Sequence, residues 1–537
     1  MFADWLLRQV GLQSIIRDKA VRATQFGLAL TKSPSLPIIG RSMPGGAHLP
    51  MLYQSARLRL ECCERIATLW LGRSASNRNT LTRAFLRDLE KAIRAVELSR
   101  AIDVLVIRSA NPNHFLAGPD LDEYDGLLDP ESRRDYSRAG QQALLNLQDL
   151  SRNVASIAFI EGECTNSGLE LALACDFRLA VASPTTWIGF DCSESGMLPC
   201  WGASQRLPKL VGPRAAINVL IRGSRLPARA AKKIGLVDHA FGAKAAKTEL
   251  NWFVADVQDR NRRRKPRGLW PQLREHPFWC DATVFKPALR RMPAGSHLRS
   301  LVEAIRRGWQ FGSAEGYLAE RMAFVADGHH PNSAWRRTLT RERLALSHSW
   351  RDVAAPSRVG VCGLNGIGMD LVVEATVAGA KVVVLSDGDQ ETVRRAMLAA
   401  VDRGCVNTIE AEQRLKQISF SNRDECSNHL EAVFLVGSDL EQAASLLELD
   451  RRLPGDVAIV ATTSTLPLQR LSTRANCPER LIGLGFAGET VSRLAVDIIP
   501  TSMTDERYIA RLYRWLERCG RRPVVPDPIE RSRLVAA

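Results

Sequence analysis

Residues 358–387, RVGVCGLNGIGMDLVVEATVAGAKVVVLSD, constrain the fold more than any other stretch of the chain. An apolar run, a glycine turn, a helix-length segment and a second apolar run follow one another without a gap. That order predicts a strand, a turn, a helix and a second strand, the opening unit of a parallel sheet. The glycines let the backbone turn sharply at the helix start, where unpaired N–H groups can face a phosphate. Such a unit suits a dinucleotide.

At 537 residues the chain is too long for one core, and two to four domains are expected. Residues 49–250 alternate between short apolar runs and amphipathic segments. IATLWL, IDVLVIRS and ASIAFI read as strands, while NTLTRAFLRDLEKAIRAVEL, QQALLNLQDL and LELALACD read as helices, which predicts a mixed α/β layered domain. Residues 261–350 carry Pro, Arg and Trp and then helical stretches such as SLVEAIRRGW and AEGYLAERMAFVA, which read as a helical linker. Residues 25–48 are Pro- and Gly-containing and read as an arm. The first 22 residues have apolar side chains at helical spacing. They are expected to form a helix packed on its own protein rather than a membrane contact or a targeting segment.

The net charge of +15 favours anionic partners such as nucleotides, CoA thioesters, nucleic acid or acidic lipid. The basic residues are scattered except in RNRRRKPR at 260–267, which reads as a solvated linker, so no nucleic-acid partner is expected. Twelve cysteines show no metal-ligand spacing, which predicts no metal site and reduced thiols in a cytoplasmic setting.

Three separated motifs, IEGECTNSGLELALACDFRLAVA, GMLPCWGASQRLPKLVG and RLPARAAKKIGLVD, resemble the crotonase superfamily of enoyl-CoA hydratases and isomerases. FLAGPDL, at 115–121, matches that family's xxAGxDL loop at the expected distance upstream. The resemblance implies a CoA thioester whose carbonyl oxygen accepts two backbone N–H groups as it takes on enolate character. Those donors fall on residue 119 and on Ser167. Residue 119 is proline, which has no N–H to give. Of the family's two glutamates, the first falls on Glu170, and the second on Cys192, flanked by Asp191 and Glu194. The resemblance makes Glu170 the expected catalytic residue and Ala117, Gly118 and Ser167 the expected cradle for the acyl-CoA. Asp120 reads as a structural hydrogen-bonder.

The run at 358–387, with EAVF, ATTSTLPLQRL and PERLIGLGF downstream, resembles the NAD-binding domain of 3-hydroxyacyl-CoA dehydrogenases. Gly363, Gly366 and Gly368 are the expected cofactor-binding glycines, with Asn365 where the family's middle glycine stands. Asp387 is the expected ribose ligand for NAD. Ser464 matches a serine that contacts the substrate hydroxyl. The family's catalytic histidine falls on Gly485, and the glutamate that orients it falls on Asp497.

The whole order resembles the multifunctional fatty acid β-oxidation α-subunit. The expected fold is therefore α/β. After the extension and arm at 1–48, a crotonase-like ββα domain covers 49–260 and a helical linker 261–352. A Rossmann-type NAD-binding domain covers 353–537, and the family's C-terminal helical domain is absent. Acyl-CoA is the expected ligand. A thiolase-like or other β-oxidation subunit and a homo-oligomer are the partners the resemblance implies. Three functional readings follow. The chain is an acyl-CoA-binding homologue with impaired chemistry, a crotonase-type enzyme of changed reaction relying on Glu170, or an active hydratase/dehydrogenase.

Overall fold

The computed structural model describes residues 50–72, 79–116, 118–191, 195–221, 223, 225–259, 276–292, 296–328, 330–385, 390–402, 405–406, 408–421, 429–462, 466–486 and 495–525. The amino-terminal helix and arm, and the basic run at 260–267, lie outside the described residues.

The apolar runs of the front half form strands because their buried faces stack into one sheet. Seven strands lie in the order Met51–Gln54, Leu58–Cys63, Ile66–Leu71, Val104–Ser109, Ala155–Ile160, Phe177–Ala182 and His239–Gly242. The first three pair antiparallel, and from Ile66–Leu71 onward every pairing is parallel. Ala155–Ile160 is buried at every position, as expected for a central strand covered on both faces.

A second sheet has four short strands in the order Arg225–Pro227, Trp187–Gly189, Glu163–Thr165 and His114–Leu116. It carries the two turns that matter most, the one after Leu116 and the one after Thr165. Helix Arg83–Leu98 packs Leu86, Leu89, Ile93 and Val96 inward at helical spacing, and Thr82 caps it by accepting the Phe85 N–H.

The segment read as a linker is helical, but two of its long helices are not a spacer. His297–Phe311 and Ser313–Asp327 lie against Pro130–Asp149 and Ala203–Val211. Leu301, Val302, Ile305, Ala323 and Phe324 belong to the same apolar cluster as Leu69, Leu89 and Leu169. Gly308 and Gly316 let these helices meet Gln205 closely: a Cβ on either would come within 1.7–2.0 Å of its side-chain oxygen.

The rear half is one eight-stranded sheet in the order Ile418–Phe420, Lys381–Val384, Arg358–Cys362, Ala432–Leu435, Ala458–Ala461, Leu481–Phe486, Ala495–Pro500 and Arg522–Val524. All pairings are parallel except Leu481–Phe486 with Ala495–Pro500. The strand–turn–helix–strand unit read at 358–387 appears as Arg358–Cys362, helix Gly366–Val377 and Lys381–Val384. This is the expected Rossmann-type sheet behind a crotonase-like front.

Phe324 tests the role of the middle helices, because it is fully buried and meets the rings of Tyr124 and Tyr136. Phe324→Ala should destabilise the front half by about 3–5 kcal/mol in urea unfolding. A change within about 0.5 kcal/mol would return the segment to the status of a spacer.

Candidate functional site

The turn after Leu116 is fixed by backbone pairing with the neighbouring segment. Leu81 N–H donates to Gly118 O at 3.0 Å, and Asp120 N–H donates to Leu81 O at 3.1 Å. Gly118 has φ +112°, in the region that favours glycine, and a Cβ there would lie 3.3 Å from the Asn166 Cβ. Asp120 caps helix Leu121–Asp125, its carboxylate accepting the Asp122 and Glu123 N–H groups at 3.1 Å each. Ala117 lies outside the described residues.

The turn after Thr165 presents the start of helix Ser167–Ala174. Gly168 is required there, since a Cβ would fall 2.0 Å from Leu116 O. The close approach locks the two turns together. Ser167 is the first helical residue, so its N–H has no partner within the helix and sits at the positive end of the dipole. Asn166, before it, takes a left-handed φ of +51°. It is held there by Asp191, which accepts from its amide and donates its own N–H to Asn166 Oδ1 at 3.1 Å. Asp191 also pairs with Arg225 at 3.9 Å and with Arg522 from the last strand of the rear sheet. Asp191 is thus fully engaged in holding the turn. Cys192 and Glu194 lie outside the described residues.

One turn into that helix stands Glu170, wholly buried. Its Oε1 accepts the N–H groups of Trp201 at 2.8 Å and Ala203 at 3.1 Å. Its Oε2 is buried with no hydrogen-bond partner among the described residues. The intervening amides serve a second buried carboxyl: Gly202 and Ser204 N–H donate to Glu320 at 2.6 and 2.9 Å. Gln141 and the Ser204 hydroxyl complete the Glu320 shell. Burial first, and then the charge of Glu320, push Glu170 up to about 8. Burial raises Glu320 as well, and its four donors offset part of that rise. The proton therefore resides on Glu170 at neutral pH, on the carboxyl with a bare oxygen.

Pro119, Asn166, Ser167 and Glu170 line one narrow cavity together with Tyr124, Tyr136, Met197, Leu198, Pro199 and Cys200. It has room for about one water, roughly 10 Å³. The structure thus brings Ser167 and Glu170 together with Pro119, while Gly118 shapes the turn behind them. Sequence reasoning missed Glu320 and both tyrosines. Glu320 did carry a signal. It falls on the buried stripe of its helix between Gly316 and Phe324, where an unpaired acid has no place.

In the rear half, Gly363 has φ +103°, and a Cβ on it would lie 2.1 Å from Val436 O. A Cβ on Gly368 would lie 2.1 Å from Gly363 O. Both glycines are therefore demanded by backbone contact, whereas a Cβ on Gly366 meets nothing within 4 Å. A cavity of about 510 Å³ opens over this turn, lined by Gly363, Leu364, Asn365, Gly437, Ser438 and Glu441 among others. The cradle fits a dinucleotide pyrophosphate, with one alteration. Asn365 Oδ1 accepts the Gly368 N–H at 3.1 Å and so caps the helix from within. Asp387 and Ser464 lie outside the described residues. Gly485 pairs across the sheet with Asp497. The Asp497 carboxyl, raised by burial, has no hydrogen-bond partner among the described residues.

Comparison with known proteins agrees with this division. Residues 64–253 match the enoyl-CoA hydratase/isomerase family, and residues 358–528 match the NAD-binding domain of 3-hydroxyacyl-CoA dehydrogenase. The chain is similar to the fatty acid oxidation complex subunit alpha of Vibrio parahaemolyticus, with 26% identity over 478 residues, 85% of this chain and 67% of that one. The same subunit from Vibrio vulnificus is 26% identical over 475 residues, with the same two coverages. Among solved structures, an enoyl-CoA hydratase from Mycobacterium avium subsp. paratuberculosis aligns over 53% of this chain and 99% of its own, at 18% identity and a TM-score of 0.39.

The Glu170 proton has a consequence for stability. The unfolded chain releases it near the ordinary glutamate value, about 4.3, while the folded chain keeps it to about 8. Between those values the folded state binds more protons, so stability falls as pH rises through the window. Glu170→Gln removes this dependence. Thermal unfolding at pH 5, 6.5 and 8 should show the variant's midpoint falling several degrees less than wild type. Parallel profiles would mean that Glu170 titrates normally.

Proposed function

From a chain whose two halves belong to the enoyl-CoA hydratase/isomerase and 3-hydroxyacyl-CoA dehydrogenase families, the layout of the multifunctional β-oxidation α-subunits, we propose an acyl-CoA-handling protein with altered chemistry in both halves. The front site binds a CoA thioester. The rear site holds NAD but does not dehydrogenate 3-hydroxyacyl-CoA.

One observation carries this reading: the cavity beside Glu170 offers one amide donor, at Ser167, and the ring of Pro119 where the second would be. An enolate-like oxygen with one donor in place of two loses about 10²–10³ in rate. Glu170 also differs from a neutral-pH base. With its proton held by burial, it can donate to a substrate but must lose that proton before it can activate water. Hydration of an enoyl-CoA needs both acts, and no second carboxyl lines the cavity among the described residues.

In the rear half, the glycine turn at Gly363 and Gly368 and the start of helix Gly366–Val377 would hold the pyrophosphate of NAD. NAD supplies hydride acceptance when bound. Among the described residues no histidine stands beside Gly485 to take the hydroxyl proton. Neither Leu481–Phe486 nor Ala495–Pro500 contains a histidine, and the residue paired with Gly485 is Asp497, which burial keeps towards its neutral form. The similarity to fatty acid oxidation complex α-subunits supports fatty acyl-CoA metabolism, and a partner subunit, as the setting.

Loss of the conjugated thioester absorbance of crotonyl-CoA, followed in wild type and Glu170→Ala, tests the front site. We expect acyl-CoA binding by both proteins, with slow hydration by wild type that vanishes in the variant. Hydration at ordinary hydratase rates would overturn the reading, as would NADH formation from 3-hydroxybutyryl-CoA. The altered cradle gives a second test. Asn365→Gly frees the Gly368 N–H for a phosphate oxygen and weakens the helix start only slightly. NADH affinity, measured by its fluorescence, should tighten about fivefold. An unchanged affinity would mean that the pyrophosphate does not reach that amide.

A further inference from the structure

Helix Pro331–Ser349, the last of the middle segment, reaches from the front cavity to the rear half. Its first turn presses on Gly196, the residue before Met197. Gly196 has φ +65°, and a Cβ there would lie 2.2 Å from Ser333 O and 2.9 Å from the Arg336 Cβ. One turn on, Arg337 is 5% exposed and bonds two separate segments at once. Its Nε donates to Asp125 Oδ1 at 2.6 Å, and its Nη1 donates to Gly196 O at 3.2 Å. Arg341, a further turn along and half exposed, donates to Asp122 and Asp125 at 3.0 Å each.

Those two segments supply most of the cavity lining. Pro119 and Tyr124 come from the turn and short helix that end at Asp125, and Met197, Leu198, Pro199 and Cys200 follow directly on Gly196. A buried arginine bound to both therefore fixes the spacing between them. A guanidinium–carboxylate bond is among the stronger hydrogen bonds, and this guanidinium is largely shielded from water. Asp125 would not be orphaned if Arg337 let go, since Arg341 holds its other oxygen. The contact can thus open without leaving a bare carboxylate.

The far end of the helix is anchored. Tyr513 of the rear half donates its hydroxyl to Arg343 O at 2.7 Å. Trp350, just past the helix, meets the Tyr513 ring edge-on at 5.2 Å, and its Nε1 donates to Glu506 at 3.2 Å. The helix cannot lift away as a body without breaking these contacts. Separation of the two lining segments therefore has to happen at the Arg337 end.

With the contact made, the cavity has room for about one water. No acyl group enters such a space, so binding there requires the Tyr124 and Met197 segments to move apart. We propose that Arg337 is the clasp that keeps the front site shut. Acyl-CoA enters when Arg337 releases Asp125 or Gly196, and the fraction of molecules with the clasp open sets the apparent affinity. This rests on the reading that the front site binds a CoA thioester. It also fixes a sign: removing the clasp tightens binding, where removing an ordinary structural contact would loosen it.

Butyryl-CoA is the probe, because it has no double bond to hydrate. Its affinity for the full chain is measured by calorimetry and its association rate by stopped-flow fluorescence, in wild type, Arg337→Met and Asp125→Asn. The methionine keeps an unbranched chain over the Tyr124 ring. The asparagine keeps the shape of the partner and carries the test alone if the first variant does not fold. Each folded variant should bind butyryl-CoA about tenfold more tightly, with faster association. Without ligand, amide hydrogen exchange should rise in peptides covering 118–127 and 195–202 and stay unchanged in strand Ala155–Ile160. Binding by the variants alone is the clasp at its strictest. Unchanged or weaker affinity in either folded variant, with wild type still binding, overturns the clasp and leaves the acyl-CoA reading standing. Exchange that rises throughout the front half also overturns it, by making Arg337 a general structural contact. Binding by neither wild type nor variants overturns both.

Discussion

Two carboxyl groups buried side by side, Glu170 and Glu320, organise the front half of the molecule. Neither could be buried alone, and together they share the four successive amides of residues 201–204, which alternate between them. Gly202, at φ +109°, lets the chain turn there so that neighbouring N–H groups reach opposite partners. The arrangement ties three parts of the fold together: the helix bearing Glu170, the turn opening Ala203–Val211, and the distant helix Ser313–Asp327. It also sets the chemistry. Burial first, and then the neighbouring Glu320, favour the proton on Glu170, the partner with a bare oxygen.

This coupling explains what could and could not be read from the sequence. Strands such as Ile66–Leu71 and Ala155–Ile160 are continuous apolar runs because both faces are covered, and such runs are legible in isolation. The glycine turn at 363–368 is legible for the same local reason, since backbone contacts at 2.1 Å permit only glycine at its two ends. Ser167 and Glu170 came from motif resemblance and meet Pro119 in space. The role of residues 297–327 was not legible, because an amphipathic helix does not announce which core it covers. Nor could the sequence say that Asp191 is spent holding Asn166, since Arg522 reaches it from 331 positions along the chain.

Contact between the halves bears on the same turn. Arg522 sits in the last strand of the rear sheet, and just before it Gly520 lies so close to Trp187 of the front that a Cβ would come within 2.2 Å of the indole. Trp187 belongs to the strand that ends two residues before Asp191. The rear sheet therefore buttresses the turn that aims the Ser167 N–H. The rear half thus contributes to the geometry of the front one through Arg522 and Gly520.

The proline at 119 can now be assigned a cost. Its neighbours make the pairing that holds the loop: Gly118 supplies the carbonyl and Asp120 the N–H, both to Leu81. Residue 119 itself is not asked to donate, so a proline there breaks no structural hydrogen bond, and its fixed φ suits an extended bridge. An N–H at that position would have had no backbone partner and would have been free for whatever occupies the cavity that Pro119 lines. The substitution is therefore neutral for the fold and specific in its effect on a ligand. It removes one backbone donor from the cavity that Pro119 lines beside Ser167 and Glu170.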